Sequence, residues 1–431
     1  MIRIFFISFA LICKLSAAKL HFTTHQLKGD VPGSTLLVIG GVHGNEPGGY
    51  FAAAVLVLHY KIKKGQLIVV PNLNFDSIIR NKRGIYGDMN RKFASIDKSD
   101  PDFNIVKDIK SIILRDDVDF VLNLHDGHGF YRQKWQNSIF NPRAWGQACI
   151  IDQKSIKTKK YGNLDEIAKQ VVKNLNQDLV KNHHTFNVKN TKTKFKDEQM
   201  RLSLTYFAIT HGKPAMAIET SKNLEKTYEK VYYQLRAIEE FMKLMNIEFT
   251  RDFDLNLQSV QKVLTTYYTA VLNDLTLLNL NHLRKRLNFV PMKKKENFLK
   301  AKHPLVAIKK SGAFYDLMVG NIRISRLKPD YIPHKKCLKS IEIVSDGKLQ
   351  KIDIPGLLSV KKTFKVNAPK EIRVNVIGYT KPNLSNENSI TINTQEILSR
   401  YSLDREKKSF RIEFYKDKSY CGMINIYKED F

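Results

Sequence analysis

His43 and Glu46 stand three positions apart in the glycine-rich run Gly40-Gly41-Val42-His43-Gly44-Asn45-Glu46-Pro47-Gly48. An imidazole nitrogen and a carboxylate are two of the three protein ligands expected at a catalytic zinc, which keeps a fourth position open for water. A second histidine, His125, lies in Asn123-Leu124-His125-Asp126-Gly127-His128-Gly129 and offers the third ligand. Between them, Arg83-Gly84-Ile85-Tyr86-Gly87-Asp88-Met89-Asn90-Arg91-Lys92-Phe93 supplies two guanidinium groups and an amide. Guanidinium matches a carboxylate in bidentate fashion, so this loop suits the grip of a free chain end. Glu219 closes the apolar run Ala215-Met216-Ala217-Ile218. A carboxylate beside a metal-activated water is a natural general base. Taken singly, each has a bland reading: solvated charge for the arginines, a hydrogen-bonded pocket residue for His125, the opening of the next helix for Glu219.

What joins them is position. Strand-like apolar runs at 35–39, 66–70, 118–124, 147–151 and 214–219 alternate with helix-like stretches at 49–62, 101–114, 164–180 and 224–245. Near-continuous apolar strands separated by helices predict an α/β layer structure with a mostly parallel sheet over residues 19–250. Each cluster falls at or just beyond a strand-like run, the edge at which open α/β sheets place their sites. Beyond residue 250 the texture changes to Lys-rich segments and short alternating runs at 320–327, 340–344, 371–377, 410–415 and 423–427. These predict one or two small β domains, divided near residue 338. The stretch 255–283 fits either period.

The order His-x-x-Glu, Arg, Asp-x-Asn-Arg-x-Phe, His, Glu resembles the zinc carboxypeptidases and their aspartoacylase-like relatives. The run Asn-Leu-His-Asp-Gly-His-Gly-Phe-Tyr and the β-rich tail are most similar to the periplasmic murein peptide carboxypeptidases that set helical cell shape. That resemblance implies a three-layer α/β/α carboxypeptidase-like domain with a mostly parallel mixed sheet, followed by barrel-like and immunoglobulin-like β domains. It implies one zinc ion held by His43, Glu46 and His125, Arg83 at the scissile carbonyl, Asn90 and Arg91 on the terminal carboxylate, and Glu219 as base. Tyr206 is the one nearby candidate for the mobile tyrosine that peptide-cleaving members carry. Asp126 and His128 are left as supports for His125 or as substrate contacts, with His128 a minor alternative for the third ligand.

Composition bounds the setting. Arg3, the apolar run 4–13 and the small residues Ser16-Ala17-Ala18 have the three-part build of a secretory signal peptide, so residues 1–18 are expected to be removed and the protein to be periplasmic. No second long apolar stretch follows, so no stable membrane span is expected. Lys and Arg number 71 against 42 Asp and Glu, a net +29 that suits an anionic wall polymer. The same charge could serve nucleic acid, but no nucleic-acid motif accompanies it. Of the four cysteines, Cys337 and Cys421 could pair in the C-terminal region. The expected partners are peptidoglycan peptide stems, with periplasmic shape-determining proteins as further candidates. The leading expectation is a murein tripeptide carboxypeptidase. The alternatives are an aspartoacylase or succinylglutamate desuccinylase-like deacylase of small N-acyl amino acids, and a non-catalytic wall-binding protein.

Overall fold

The computed structural model describes residues 20–196 and 198–429; the expected export segment, 1–18, lies outside them. Eight strands make the main sheet: β1 (His25–Lys28), β2 (Val31–Ile39), β3 (Tyr60–Val70), β4 (Phe120–Gly127), β5 (Ala148–Ile151), β6 (Asn187–Asn190), β7 (Ala215–Ser221) and β8 (Glu248–Arg251). Their order is β1-β3-β2-β4-β7-β5-β6, with β8 also paired to β3. Strands β3, β2, β4 and β7 run parallel, whereas β1 and β8 are antiparallel to β3, and β5 to β7. This is the mostly parallel mixed sheet that the alternation of runs predicts.

Helices α1 (Pro47–His59), α3 (Leu164–Leu175) and α5 (Thr227–Leu244) pack together on one face. On the other, α4 (Leu204–Thr210) rests on β4 and β7, and Lys110 of α2 (Phe103–Ile113) lies over the Phe207 ring of α4. Apolar residues of α2 recur at helical spacing, Ile105, Val106, Ile109 and Ile113, and all are buried. Helix α1 is instead buried along most of its length, so its sequence is apolar all round.

Alternation along β4 decides what faces where. Phe120 packs against Phe241 of α5, so residues 120, 122 and 124 point to the α1/α3/α5 layer and 123 and 125 to the opposite side. In register, His125 lies beside Glu219 and Asn123 beside Ala217. A slip of one residue would bury the site side chains in the helical layer.

Two expected elements differ. The helix expected over 49–62 ends at His59, because Tyr60-Lys61-Ile62-Lys63 alternates: Tyr60 and Ile62 are buried and Lys61 is exposed, which extends β3 back to Tyr60. The helix expected over 164–180 stops at Leu175. The ambiguous 255–283 stretch holds both periods in succession, a helix at Leu257–Leu264 and then strands Thr269–Leu272 and Thr276–Asn279. Positive φ at Asn273 and Asp274 turns that hairpin.

Two further cores follow. One gathers Leu272, Leu278, Leu287, Met292, Leu317 and Leu327 from a three-stranded and a four-stranded sheet. It is seated on the α/β domain: Leu305 and Val319 join the main core, and Asn72 Nδ2 donates to Pro304 O at 2.9 Å. The other core lies between two four-stranded sheets, with Ile343, Phe364 and Ile392 on one and Val374, Ile424 and Ile426 on the other. Cys337 and Cys421 are disulfide-bonded, with Cα atoms 5.2 Å apart and 84 positions apart in sequence.

Closing so long a loop restricts the unfolded chain, so replacing both cysteines with serine is expected to lower unfolding stability by about 2–4 kcal/mol. Denaturant titration checks this. Burial, reinforced by the neighbouring His59, holds buried His303 down at about 4 against the ordinary 6.5. The unfolded chain therefore takes up this proton first, and stability falls as pH drops from 6.5 towards 4, by at most about 1.4 kcal/mol per pH unit. His303→Gln should flatten that part of the stability–pH curve.

Candidate active site

The turn after β2 is shaped by contact. A Cβ on Gly44 would lie 2.1 Å from the Ser77 carbonyl carbon, so only glycine lets the turn pack there. Pro47 opens α1, and Glu46 occupies its N-cap position, yet the Glu46 side chain bonds no helix amide. Its carboxylate turns to the histidines instead. Glu46 Oε2 lies 3.1 Å from His43 Nδ1 and 2.8 Å from His125 Nδ1. The nearest approaches of these three side chains leave one donor atom from each within 4.8 Å of one another, and all three residues are buried.

The donor set fits a divalent metal. His43 Nδ1 lies 3.1 Å from Glu46 Oε2 without a well-formed hydrogen bond, a buried nitrogen that a metal could take. Its other nitrogen, Nε2, is 2.8 Å from Asp88 Oδ1, the outer carboxylate that orients a ligating imidazole. His125 Nε2 is 2.8 Å from the Asn123 amide nitrogen, while Asn123 Oδ1 is buried without a partner. A half-turn of that amide lets His125 Nε2–H donate to Oδ1 and frees Nδ1 for a metal.

Asp88 binds more than His43. It accepts from Arg83 Nε at 3.0 Å and from the Asn90 amide at 2.9 Å, which caps the short helix Met89–Arg91. Burial raises its carboxyl, but the bonds from His43 and Arg83 outweigh this and hold it well below the ordinary range. One carboxylate thereby ties together a candidate ligand, a cleft arginine and the loop carrying Asn90 and Arg91.

Across the cleft, Glu219 sits on β7 beside His125 with its Oε2 sealed from solvent and unpartnered. Burial, and then the negative charge of Glu46, pushes its carboxyl well above the ordinary range. Room for it comes from Gly127: a Cβ there would meet Glu219 Oε2 at 2.8 Å and Trp145 Cβ at 2.5 Å. The cleft, about 220 Å³, is lined by His43, Glu46, His125, Glu219, Arg83, Asn90 and Arg91, all expected from the sequence. His128 also lines it and is exposed. Tyr206 does not: it is on α4, half-buried, and its neighbour Thr205 reaches the cleft instead.

Two contributors carry no sequence signal, and a third, Asp126, has a role other than the expected ones. Lys222 Nζ is 3.2 Å from Glu46 Oε1, but one lysine among 71 basic residues does not stand out. Trp145 forms a wall, backed by Lys189, whose ammonium lies 4.1 Å from a Trp145 ring centroid and is pushed down to about 8 by burial. Asp126 faces the helical layer and supports the Glu46 turn, not His125. Its Oδ2 accepts from Gly48 N at 2.9 Å, its Oδ1 from Thr220 Oγ1, and burial pushes it up to about 6.

Fold and site together define a metallocarboxypeptidase of the carboxypeptidase A-like class. The chain belongs to the family of carboxypeptidases controlling helical cell shape, whose catalytic-domain model matches residues 2–265. The model of a C-terminal domain of metallo-carboxypeptidase matches residues 334–429. Among solved structures, the product-bound cell shape determinant protein Csd4 from Helicobacter pylori is similar at 36% identity, with a TM-score of 0.91 over 95% of this chain and 100% of that one. Tripeptide-bound Csd4 is 36% identical with a TM-score of 0.90, over 95% of this chain and 100% of that one. An mDAP-bound form, described as a D,L-carboxypeptidase, matches at the same identity and TM-score, over 94% of this chain and 100% of that one. Comparison with curated proteins finds no match.

If Asp88 orients His43, Asp88→Ala should weaken metal binding about 10–100-fold. Competition with a calibrated chelator measures it. An unchanged affinity would remove Asp88 from that role.

Proposed function

We propose that this protein is a zinc carboxypeptidase that removes the C-terminal meso-diaminopimelate from murein tripeptide, leaves a dipeptide, and so sets helical or curved cell shape. The observation that carries it is the convergence of His43, Glu46 and His125 with the unpartnered carboxylate of Glu219 on the adjacent strand. Full-length likeness to a D,L-carboxypeptidase seen with tripeptide and with mDAP supports the substrate. That likeness includes the β-rich half, which favours a wall peptidase over a small-molecule deacylase. A complete ligand set favours an enzyme over a wall-binding protein.

His43, Glu46 and His125 would hold the ion. Zinc, when bound, supplies Lewis acidity and makes hydroxide available near neutral pH. Glu219 takes the proton of the attacking water and passes it to the leaving amine. A general base so placed contributes about 10²–10⁴ in rate. Arg83 is 45% exposed and held by Glu46 and Asp88 at the cleft edge, where its guanidinium can steady the developing oxyanion. Asn90 commits its Oδ1 to Leu204 N, which leaves its amide N–H groups, with Arg91, for the terminal carboxylate.

Export is supported by the Cys337–Cys421 bond, since such bonds persist in oxidising compartments. Among the described residues no helix is long and apolar enough to cross a membrane. The net charge of +29 suits an anionic wall, and shape-determining proteins remain candidate partners.

Mass spectrometry of tripeptide incubated with zinc-loaded protein should show chelator-sensitive loss of one diaminopimelate. Glu219→Gln should cut turnover by about 10²–10⁴; full activity in that variant would sink the mechanism. Arg91→Ala should raise KM for the free acid. A substrate amidated at its C-terminus should be poor for the wild type and no poorer for Arg91→Ala.

A further inference from the structure

A second cavity, also about 220 Å³, opens beside the cleft among Phe130, Ile139, Phe140, His183, His184 and Leu224. One water needs only about 10–15 Å³, so a group of many heavy atoms fits. We infer that this cavity is a subsite for the N-acetylated sugar that carries the peptide stem, an inference that rests on the murein-peptidase reading.

Its wall is preassembled. Phe130 is stacked between Phe140 (centroids 4.8 Å apart, planes 9°) and His184 (5.8 Å, 10°), and His183 packs edge-on against both phenylalanines. The Arg132 guanidinium closes the far side of the stack, 5.2 Å from the Phe140 centroid, and donates to the backbone oxygens of His183 and Thr185. His184 Nδ1 is tied to Tyr233 OH at 3.0 Å, and burial holds that imidazole down at about 4, hence neutral. The ring edges of this stack, with Ile139 and Leu224, suit the C–H groups and acetyl methyl of an uncharged sugar. Asn223, Lys181 and Glu225 give the rim polar groups for hydroxyls and amide.

Position points the same way. The cavity and the cleft share one partition: Lys222 N donates to Gly127 O at 2.7 Å and Gly129 N to Asn223 Oδ1 at 2.8 Å. His128 and Lys222 face the cleft, and Phe130 and Leu224, two residues on, face the cavity. At about 3.3 Å per residue, the chain from Glu219 to Asn223 spans at most about 13 Å. The γ-glutamyl, alanyl and lactyl links between the scissile carbonyl and the sugar reach roughly the same length at about 3.3–3.6 Å per residue equivalent, a little more for the γ-link. A stem held by its terminal carboxylate at Asn90 and Arg91 would thus deliver its sugar to this partition.

The test compares kcat/KM for free tripeptide and for disaccharide tripeptide in the zinc-loaded full chain. Wild type should favour the glycosylated substrate by about tenfold. His183→Ala, a change at an exposed residue, and Phe140→Leu should each bring that ratio close to one while leaving the free-tripeptide rate unchanged. Equal rates in the wild type, or equal losses on both substrates in the variants, would overturn the subsite and leave the peptidase reading standing. If neither substrate is cleaved, the peptidase reading falls and takes the subsite with it.

Discussion

The Glu46 carboxylate is the interaction on which the rest of this site depends. It is a buried anion, and isolating such a charge from water costs several kcal/mol unless cations or donors surround it. Here the answer is concentric: His43 and His125 on one oxygen, Arg83 and Lys222 on the other. Burial raises Glu46, yet the histidines outweigh it and hold the carboxyl well below its ordinary range. A divalent ion completes the same logic, because it puts concentrated positive charge where the protein has gathered lone pairs.

The second buried carboxylate behaves in the opposite way. Glu219 is near enough to Glu46 to feel its charge but has no cation bonded to Oε2, so its carboxyl is raised. Two carboxylates in one cleft, pushed apart in acidity, make natural partners for ligation and proton transfer. Their separation follows from register: β4 and β7 run parallel with His125 opposite Glu219, and the rigid sheet sets the spacing that chemistry needs. Gly127 is part of that arrangement, since any side chain there would occupy the place of the Glu219 carboxylate.

Support for the cleft comes from both layers of the domain. Asp126, on the helical side of β4, clamps the first turn of α1 through Gly48 and so steadies Glu46 from behind. Asp88 does the same from the loop side, joining His43, Arg83 and the Asn90 turn. The neighbouring β domain shares the main core through Leu305 and Val319, so the α/β domain and that module are packed as one body. Charge, packing and backbone geometry all act on the same few residues.

By itself the sequence determined the apolar strand runs, the turn chemistry and the identity of the ligand candidates. Those are local properties: His43-x-x-Glu46 and the strand-end His125 and Glu219 announce themselves by residue type and spacing. Helix ends were less legible, because Tyr60–Ile62 reads as a helix continuation until pairing with β8 imposes a period of two. Only the tertiary structure decided that Lys222 reaches Glu46, that Trp145 walls the cleft, that the Asp126 side chain turns to the helical layer, and that Cys337 meets Cys421. Each of these depends on which distant segments share a surface, and a common residue type such as lysine carries no mark of that until the sheet brings the segments together.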